Sequence, residues 1–463
     1  MEQSRTFFTR DRHFYGELTR LTLFIALQNV IVCMVGLVDN IMIGNYSQQA
    51  LTGVGIANQI QFLLQMCIGS IGEGMMVLNS QYWGTRTVAP IQRLIAIAMR
   101  FALVVSLVFM AVMLIFPVQV ISLFTQDALA IEEGVKYVRI MAFTYVFFSL
   151  GNVLISAHRS VENVRVGMVA SLCALVTNIT LNTLLIFGHC GFPRMGVVGA
   201  AIATLVGRIV EMGVVLVYTL KIDKKLGMKI KDFFERDRQL FLDYIHVAIP
   251  VVLSGASWGI AMLLQTWILG RIDHDGTAIA ANSIANTLFQ VITVVCYGVA
   301  SASSVVTGKA VGRDDIGHLR EYVRTMQVIF LGIGLLSSAV LLILKKPILA
   351  FYSITPEAYA LSDSFINVLC ITVIGTSYQC SCLTGIVRGG GNTKFVFYND
   401  LIFMWCIVLP CSAIAAMVLK LSPVIVFFCL KSDQLLKCIV AVWQVNSYRW
   451  VKKVTRAELI DQA

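Results

Sequence analysis

Apolar runs long enough to cross a bilayer recur along the whole chain, and the polar positions gather in the short segments between them. A hydrocarbon core takes about 20 residues of helix. On that measure the pattern predicts about twelve spans: 18–42, 52–80, 93–116, 131–157, 164–187, 195–220, 241–270, 279–308, 320–344, 358–385, 395–419 and 423–448. Lys431, Asp433 and Lys437 interrupt the last of them. The fold class this implies is an all-α integral membrane protein.

The pattern also repeats. Residues 21–44, LTLFIALQNVIVCMVGLVDNIMIG, have a counterpart 226 positions later in VAIPVVLSGASWGIAMLLQTWILG, with Gln265 where the first copy has Asp39. Ile56-Ala57-Asn58 recurs as Ile284-Ala285-Asn286, Gly84 as Gly312, Pro117 as Pro347, and Arg159-Ser-Val-Glu-Asn163 as Arg388-Gly-Gly-Gly-Asn392. Two copies of six spans account for the chain: an N-terminal six-helix bundle at 1–220, a basic linker at 221–240, and a C-terminal six-helix bundle with a short tail at 241–463. Because six is even, both copies enter from the same side. The bundles are then expected to be related by a pseudo-two-fold along the membrane normal, with a cavity between them near the midplane.

Composition agrees. Of 463 residues 57% are hydrophobic and 13% charged, with mean hydropathy +0.79, too little polar surface for a soluble domain. The first apolar segment is too long for a cleaved signal peptide and lacks a small-residue cleavage site. The terminal segments 1–17 and 449–463 are short and polar, so no sizeable soluble domain is expected. A net charge of +10 would point a soluble protein toward nucleic acid, but here the cations follow loop parity. With the N-terminus inside, 26 Lys and Arg fall in inner segments and 5 (Arg194, Arg271, Lys345, Lys346 and Lys420) in outer ones. This positive-inside bias predicts an even number of spans, both termini in the cytoplasm, and no nucleic-acid partner. The twelve cysteines mostly sit in apolar segments. The close pair Cys380-Ser-Cys382 lacks the spacing of a zinc site and reads as apolar filler.

Polar residues inside the spans carry the candidate chemistry. Asp39 stands in the outer half of the first span. An acid at that depth is costly and functional by default, against the alternative of a solvated residue that ends the helix. Held away from water it can exchange a proton, or hold Na⁺ if neutral oxygens surround it. Asn178 and Asn182, four residues apart, face one side of the fifth span and must find partners. They either complete an oxygen shell around Asp39 or join two helices by hydrogen bonds. Thr204, in Gly-Ala-Ala-Ile-Ala-Thr, is a further candidate in a stretch that mainly reads as close packing. Gln265 and Asp400 are a possible second polar site in the C-terminal half, although Asp400 also reads as an N-terminal helix cap. Glu211, three residues after Arg208, reads as an intrahelical ion pair. An ion-coupled transporter is therefore the first reading.

Other chemistry is not encoded. Arg388-Gly-Gly-Gly-Asn-Thr-Lys394 lacks the phosphate-loop spacing and its Lys-Ser/Thr ending, and reads as a tight turn. The six histidines are scattered, and the chain has no convincing catalytic triad, so no enzyme, resident cofactor or metal centre is expected beyond possible Na⁺ at Asp39. The abundant Met and aromatic residues suit packing, lipid contact or a pocket for apolar cations.

VDNIMIG after a Leu-Gln-Asn run, IANQIQ, SQYWGT, ITLNTLLIFGHCGFPRMGVVGAAIAT and IVRGGGNTKF, in this order and spacing, resemble the multidrug and toxic-compound extrusion (MATE) family over essentially the whole chain. The resemblance implies a twelve-helix secondary antiporter that expels cationic, often aromatic compounds in exchange for H⁺ or Na⁺. It further implies that a first-helix acid acts with Asn and Asp on the fifth helix, and Asp39 and Asn178 match those positions. The chain departs from the family pattern at the first-helix proline, which is Phe24 here although Pro250 keeps it in the second copy. The fifth-helix acid is Asn182, and the seventh-helix acid of some Na⁺-coupled members is Gln265 or absent.

The expected protein is thus a multi-pass antiporter of the cell (inner) membrane, monomeric among lipids, exporting a small organic substrate against H⁺ or Na⁺ by alternating access. The alternatives are a lipid-linked saccharide flippase of the same plan, which would line its cavity with Arg and Lys, and a non-transporting receptor or scaffold.

Overall fold

A computed structural model describes residues 8–125, 127–188, 191–270, 277–350 and 355–456. Arg5, Arg271 and Cys190 lie outside the described residues, as do the two ends of the chain. Among the described residues every regular element is helical. A membrane accommodates this, because a helix bonds all of its lipid-facing backbone groups within its own segment. In chain order the α-helices are α1 (Arg12–Tyr46), α2 (Gln48–Gly84), α3 (Ala89–Ile115), the short α4 (Pro117–Ser122), α5 (Ala128–Ser160), α6 (Arg165–Phe187), α7 (Val197–Val217), α8 (Arg238–Gly270), α9 (Thr277–Gly312), α10 (Ile316–Leu349), α11 (Pro356–Cys380), α12 (Thr393–Leu401), α13 (Leu409–Ala413), α14 (Pro423–Lys431) and α15 (Asp433–Ser447).

Eleven apolar segments are long enough to cross a membrane among the described residues. The twelfth expected span is α14 and α15, separated at Ser432, where the sequence places Lys431 and Asp433. A π-helical turn, Ser381–Val387, extends α11. Two more, Ile402–Val408 and Ile414–Val418, flank α13, so that α12, α13 and these turns make one apolar crossing from Thr393 to Val418. Side chains such as Ile343 (72% exposed) and Ile439 (71%) would make adhesive patches in water; in a bilayer they face lipid. α8 carries Pro250 inside its length, while α1 has no proline.

The chain divides into two compact units. One contains residues 27–79 and 86–255, and the other residues 1–26, 80–85 and 256–457. In the first unit the basic segment after α7 is an ordered strap. Arg93 pairs with Asp237 at 3.1 Å, Arg100 donates to the carbonyls of Phe233 and Glu235, and Lys225 donates to the carbonyl of Val161. In the second unit the repeated glycines meet. A Cβ on Gly84 would stand 2.3 Å from the carbonyl oxygen of Lys309, and one on Gly312 2.1 Å from that of Gln81. The core of this unit centres on Phe365 stacked against Phe427, ring centroids 4.1 Å apart.

The triple-glycine loop of this unit is a tight turn, as its sequence suggests. Gly391 has φ +99, Gly390 packs against the Trp450 ring, and Lys452 N–H donates to the Gly390 carbonyl at 2.8 Å.

Candidate functional site

In the first unit α1, α6 and α7 bring four of the predicted residues together. All are buried: Asp39 is 7% exposed, Asn178 1%, Asn182 0% and Thr204 6%. The i, i+4 spacing turns both asparagines to one face of α6, toward Asp39 of α1. The Asn182 amide donates to one carboxylate oxygen of Asp39 and, at 3.1 Å, to the side-chain carbonyl of Asn178. The Asn178 amide donates to the Thr204 hydroxyl at 3.3 Å. That hydroxyl lies 3.3 Å from the other Asp39 oxygen and 3.0 Å from the Ala200 carbonyl. Thr204 therefore does more than pack. The ring closes on the carboxylate from two sides, and the side-chain oxygen of Asn182 is left buried without a hydrogen-bond partner. Such an orphan costs about 1–3 kcal/mol, and it offers a neutral oxygen beside a carboxylate, which suits a bound cation.

A second polar layer, less legible in the sequence, lies two turns along the same helices. Ser171 is seven residues before Asn178 on α6, and Glu211 is seven after Thr204 on α7. The Ser171 hydroxyl donates to Glu211 at 2.8 Å, and Arg208 pairs with Glu211 at 2.6 Å, as their spacing predicts. Gln28 of α1 donates to Ser171 at 3.4 Å and accepts from Arg159 of α5 at 2.7 Å. A cavity of about 10 Å³ joins the layers, lined among others by Ser171, Asn178, Thr204, Gly207, Arg208 and Glu211. That is room for roughly one water. The signal for this layer was the matched seven-residue spacing on two adjacent spans, which becomes informative only once both helices are known to face each other.

Gln265 and Asp400 belong to the other unit. The Gln265 amide points to the Met404 sulfur at 3.7 Å. Asp400 does not cap a helix. Asn392 precedes α12, whereas Asp400 stands near the far end of that segment and pairs with the buried Lys437 at 2.9 Å. Lys437 also reaches Asp433 at 3.5 Å. Two of the charges that break the last span, Asp433 and Lys437, thus pair with each other. Lys431 reaches the Asn286 side-chain oxygen at 3.5 Å and lies over the Phe289 and Phe427 rings. No cluster of three or more His, Cys, Asp or Glu suited to a metal occurs among the described residues.

The MatE family model matches residues 25–184 and again 250–414, one match in each copy of the repeat. Among curated proteins, the chain is 22% identical over 449 residues to the uncharacterized transporter YisQ of Bacillus subtilis, covering 94% of this chain and 95% of that one. It is 23% identical to a probable multidrug resistance protein NorM of Thermotoga maritima, covering 85% and 84%. Among solved structures, the Vibrio cholerae MATE transporter VcmN superposes with TM-score 0.85 at 15% identity, covering 96% of this chain and 98% of that chain. A MOP superfamily transporter from Pyrococcus furiosus superposes with TM-score 0.84 at 18% identity, covering 93% and 95%.

Proposed function

The chain belongs to the MatE family, and from that premise we propose that it is a secondary antiporter exporting organic, amphipathic cations in exchange for H⁺ or Na⁺. The observation that carries this reading is the closed ring around Asp39: a lone carboxylate, buried in a membrane helix, faced by two amides and a hydroxyl. An uncompensated carboxylate there costs several kcal/mol, so the site favours a bound proton or cation. The names of relatives such as NorM support organic compounds as cargo.

In the cycle we propose, Asp39 takes up its ion from the outside and releases it to the cytoplasm, where the organic cation binds. The duplicated halves, 1–220 and 241–463, supply the two alternating states, with both termini cytoplasmic and the protein a monomer in the cell membrane. One charge crossing the membrane potential supplies about 2.3 kcal/mol per 100 mV, and each pH unit adds about 1.4 kcal/mol per proton. Either biases an exchange between states a few kcal/mol apart.

The test is accumulation of ethidium and of tetraphenylphosphonium in proteoliposomes under imposed pH or Na⁺ gradients. The wild-type protein accumulates a probe under at least one gradient. Asp39→Asn inserts normally and loses the gradient-driven component. Undiminished gradient-driven transport by that variant rules out the assignment.

A further inference from the structure

Arg208 is an odd residue to find beside a cation site. It is nearly buried, its side chain 12% exposed and that of Glu211 8%. Its guanidinium carbon lies 5.1 Å from the centre of the Phe148 ring. It stands one helical turn from Thr204, which touches Asp39, and nearly one turn from Glu211. Side chains at these spacings share a helix face, and the small cavity lies between the two layers on that face. Gly207 beside it and Ala174 across from it are small, and Val32 and Val35 of α1 complete the apolar part of the lining.

We propose that Arg208 is a movable counter-charge shared between Glu211 and Asp39: it rests on Glu211 while the coupling ion occupies Asp39, and turns to Asp39 when that ion leaves. The proposal rests on the reading of Asp39 as the ion site. With Arg208 on Glu211, as the structure has it, Asp39 is the carboxylate left for an external cation. When the ion departs, a bare buried carboxylate at Asp39 would be costly, and the guanidinium, which can donate on more than one side, offsets that cost by sharing its charge between Asp39 and Glu211.

Glu211 then keeps the Ser171 hydroxyl, and through Ser171 and Gln28 it is linked to Arg159. With Na⁺ the step makes and breaks no covalent bond; with H⁺ the Asp39 O–H bond breaks, the proton passes to water on the releasing side, and the guanidinium takes its place at the carboxylate. The other titratable or charged groups facing this seam are Tyr137 and Tyr145 of α5, Arg159 of α5, and Glu73 of α2 beside Arg159.

The role predicts shifts of opposite sign. Glu211→Gln removes the competing carboxylate and leaves Arg208 to Asp39, so the ion is held at least about tenfold more weakly. Arg208→Gln removes the competing cation, so the ion is held at least about tenfold more tightly and leaves slowly. These sizes correspond to one unit charge moved within about 6 Å at an effective dielectric near 20. The double variant has no guanidinium to replace the departing ion, so it still holds the ion more tightly than wild type, whereas a fixed Arg208–Glu211 pair, net neutral, would leave the double variant within a few fold of wild type.

The readout uses the full chain in lipid discs and needs no cargo. The infrared absorbance of protonated carboxyl groups is followed as pH is titrated, and intrinsic tryptophan fluorescence as Na⁺ is titrated. Asp39→Asn identifies which signal belongs to Asp39. Same-sign shifts, or no shift, in Arg208→Gln and Glu211→Gln overturn the proposal and leave the Asp39 reading intact. Loss of no signal at all in Asp39→Asn overturns both. Should Arg208→Gln fold poorly, the weakening in Glu211→Gln decides alone, and a Glu211→Asp variant that restores wild-type affinity supports the exchange over a purely structural role.

Discussion

Replacing Asn182 with aspartate puts a second carboxylate where an amide now donates to Asp39. Two ionised carboxylates about 4 Å apart repel by roughly 4 kcal/mol at an effective dielectric near 20, close to three factors of ten in affinity at about 1.4 kcal/mol each. They cannot both stay bare, so the pair shares a proton or a monovalent cation. Asn182→Asp is therefore expected to retain its ion at roughly a thousandfold lower ion concentration than wild type, and to turn over more slowly because release becomes limiting. Asp39→Asn with Asn182→Asp restores a single carboxylate within the same ring and should recover the coupling that Asp39→Asn alone loses. The assay is ion titration of the carboxyl infrared band, paired with ethidium transport in proteoliposomes. Ion affinity unchanged within a few fold in Asn182→Asp would refute the geometry, because it would mean that α1 and α6 do not bring these side chains together.

Three further outcomes concern the other unit. Gly84→Ala and Gly312→Ala each place a Cβ against backbone carbonyls; overpacking of this kind costs about 1–3 kcal/mol, and each should lower the thermal unfolding midpoint in detergent. Lys437→Met strips the cation from the buried Asp433 and from Asp400, so stability should fall by about 3–5 kcal/mol, while adding Asp400→Asn and Asp433→Asn recovers most of it; a denaturant titration of the single and triple variants checks both. Gly390→Ala should displace the Trp450 ring packed against it, releasing the segment after α15, and limited proteolysis should then cut near residue 450 faster than in wild type.

The spans were legible because helical crossings satisfy their backbone internally and present long, mostly apolar runs to lipid. Their ends were not. α1 starts at Arg12 and runs to Tyr46, beyond the apolar run at 18–42, because backbone hydrogen bonds continue where side chains turn polar. Asp39, Asn178 and Asn182 stood out as polar residues in apolar surroundings, while Thr204 was a weaker candidate in a stretch that mainly reads as close packing.

What the sequence did not reveal depends on which helix faces which. Ser171, Gln28 and Arg159 become a chain only when α1, α5, α6 and α7 are packed. Asp400 looked like a cap because hydropathy alone set the start of its span, and its partner Lys437 is 37 positions away.

The most direct measurement is ion release on binding cargo. Ethidium is added to the purified protein in weakly buffered, lipid-containing solution, while a pH dye and a Na⁺ electrode follow the medium. Wild-type protein should bind ethidium and release H⁺ or Na⁺, and Asp39→Asn should bind ethidium and release neither. Equal release by both proteins, or ethidium binding by the wild type with no ion set free, would contradict the account.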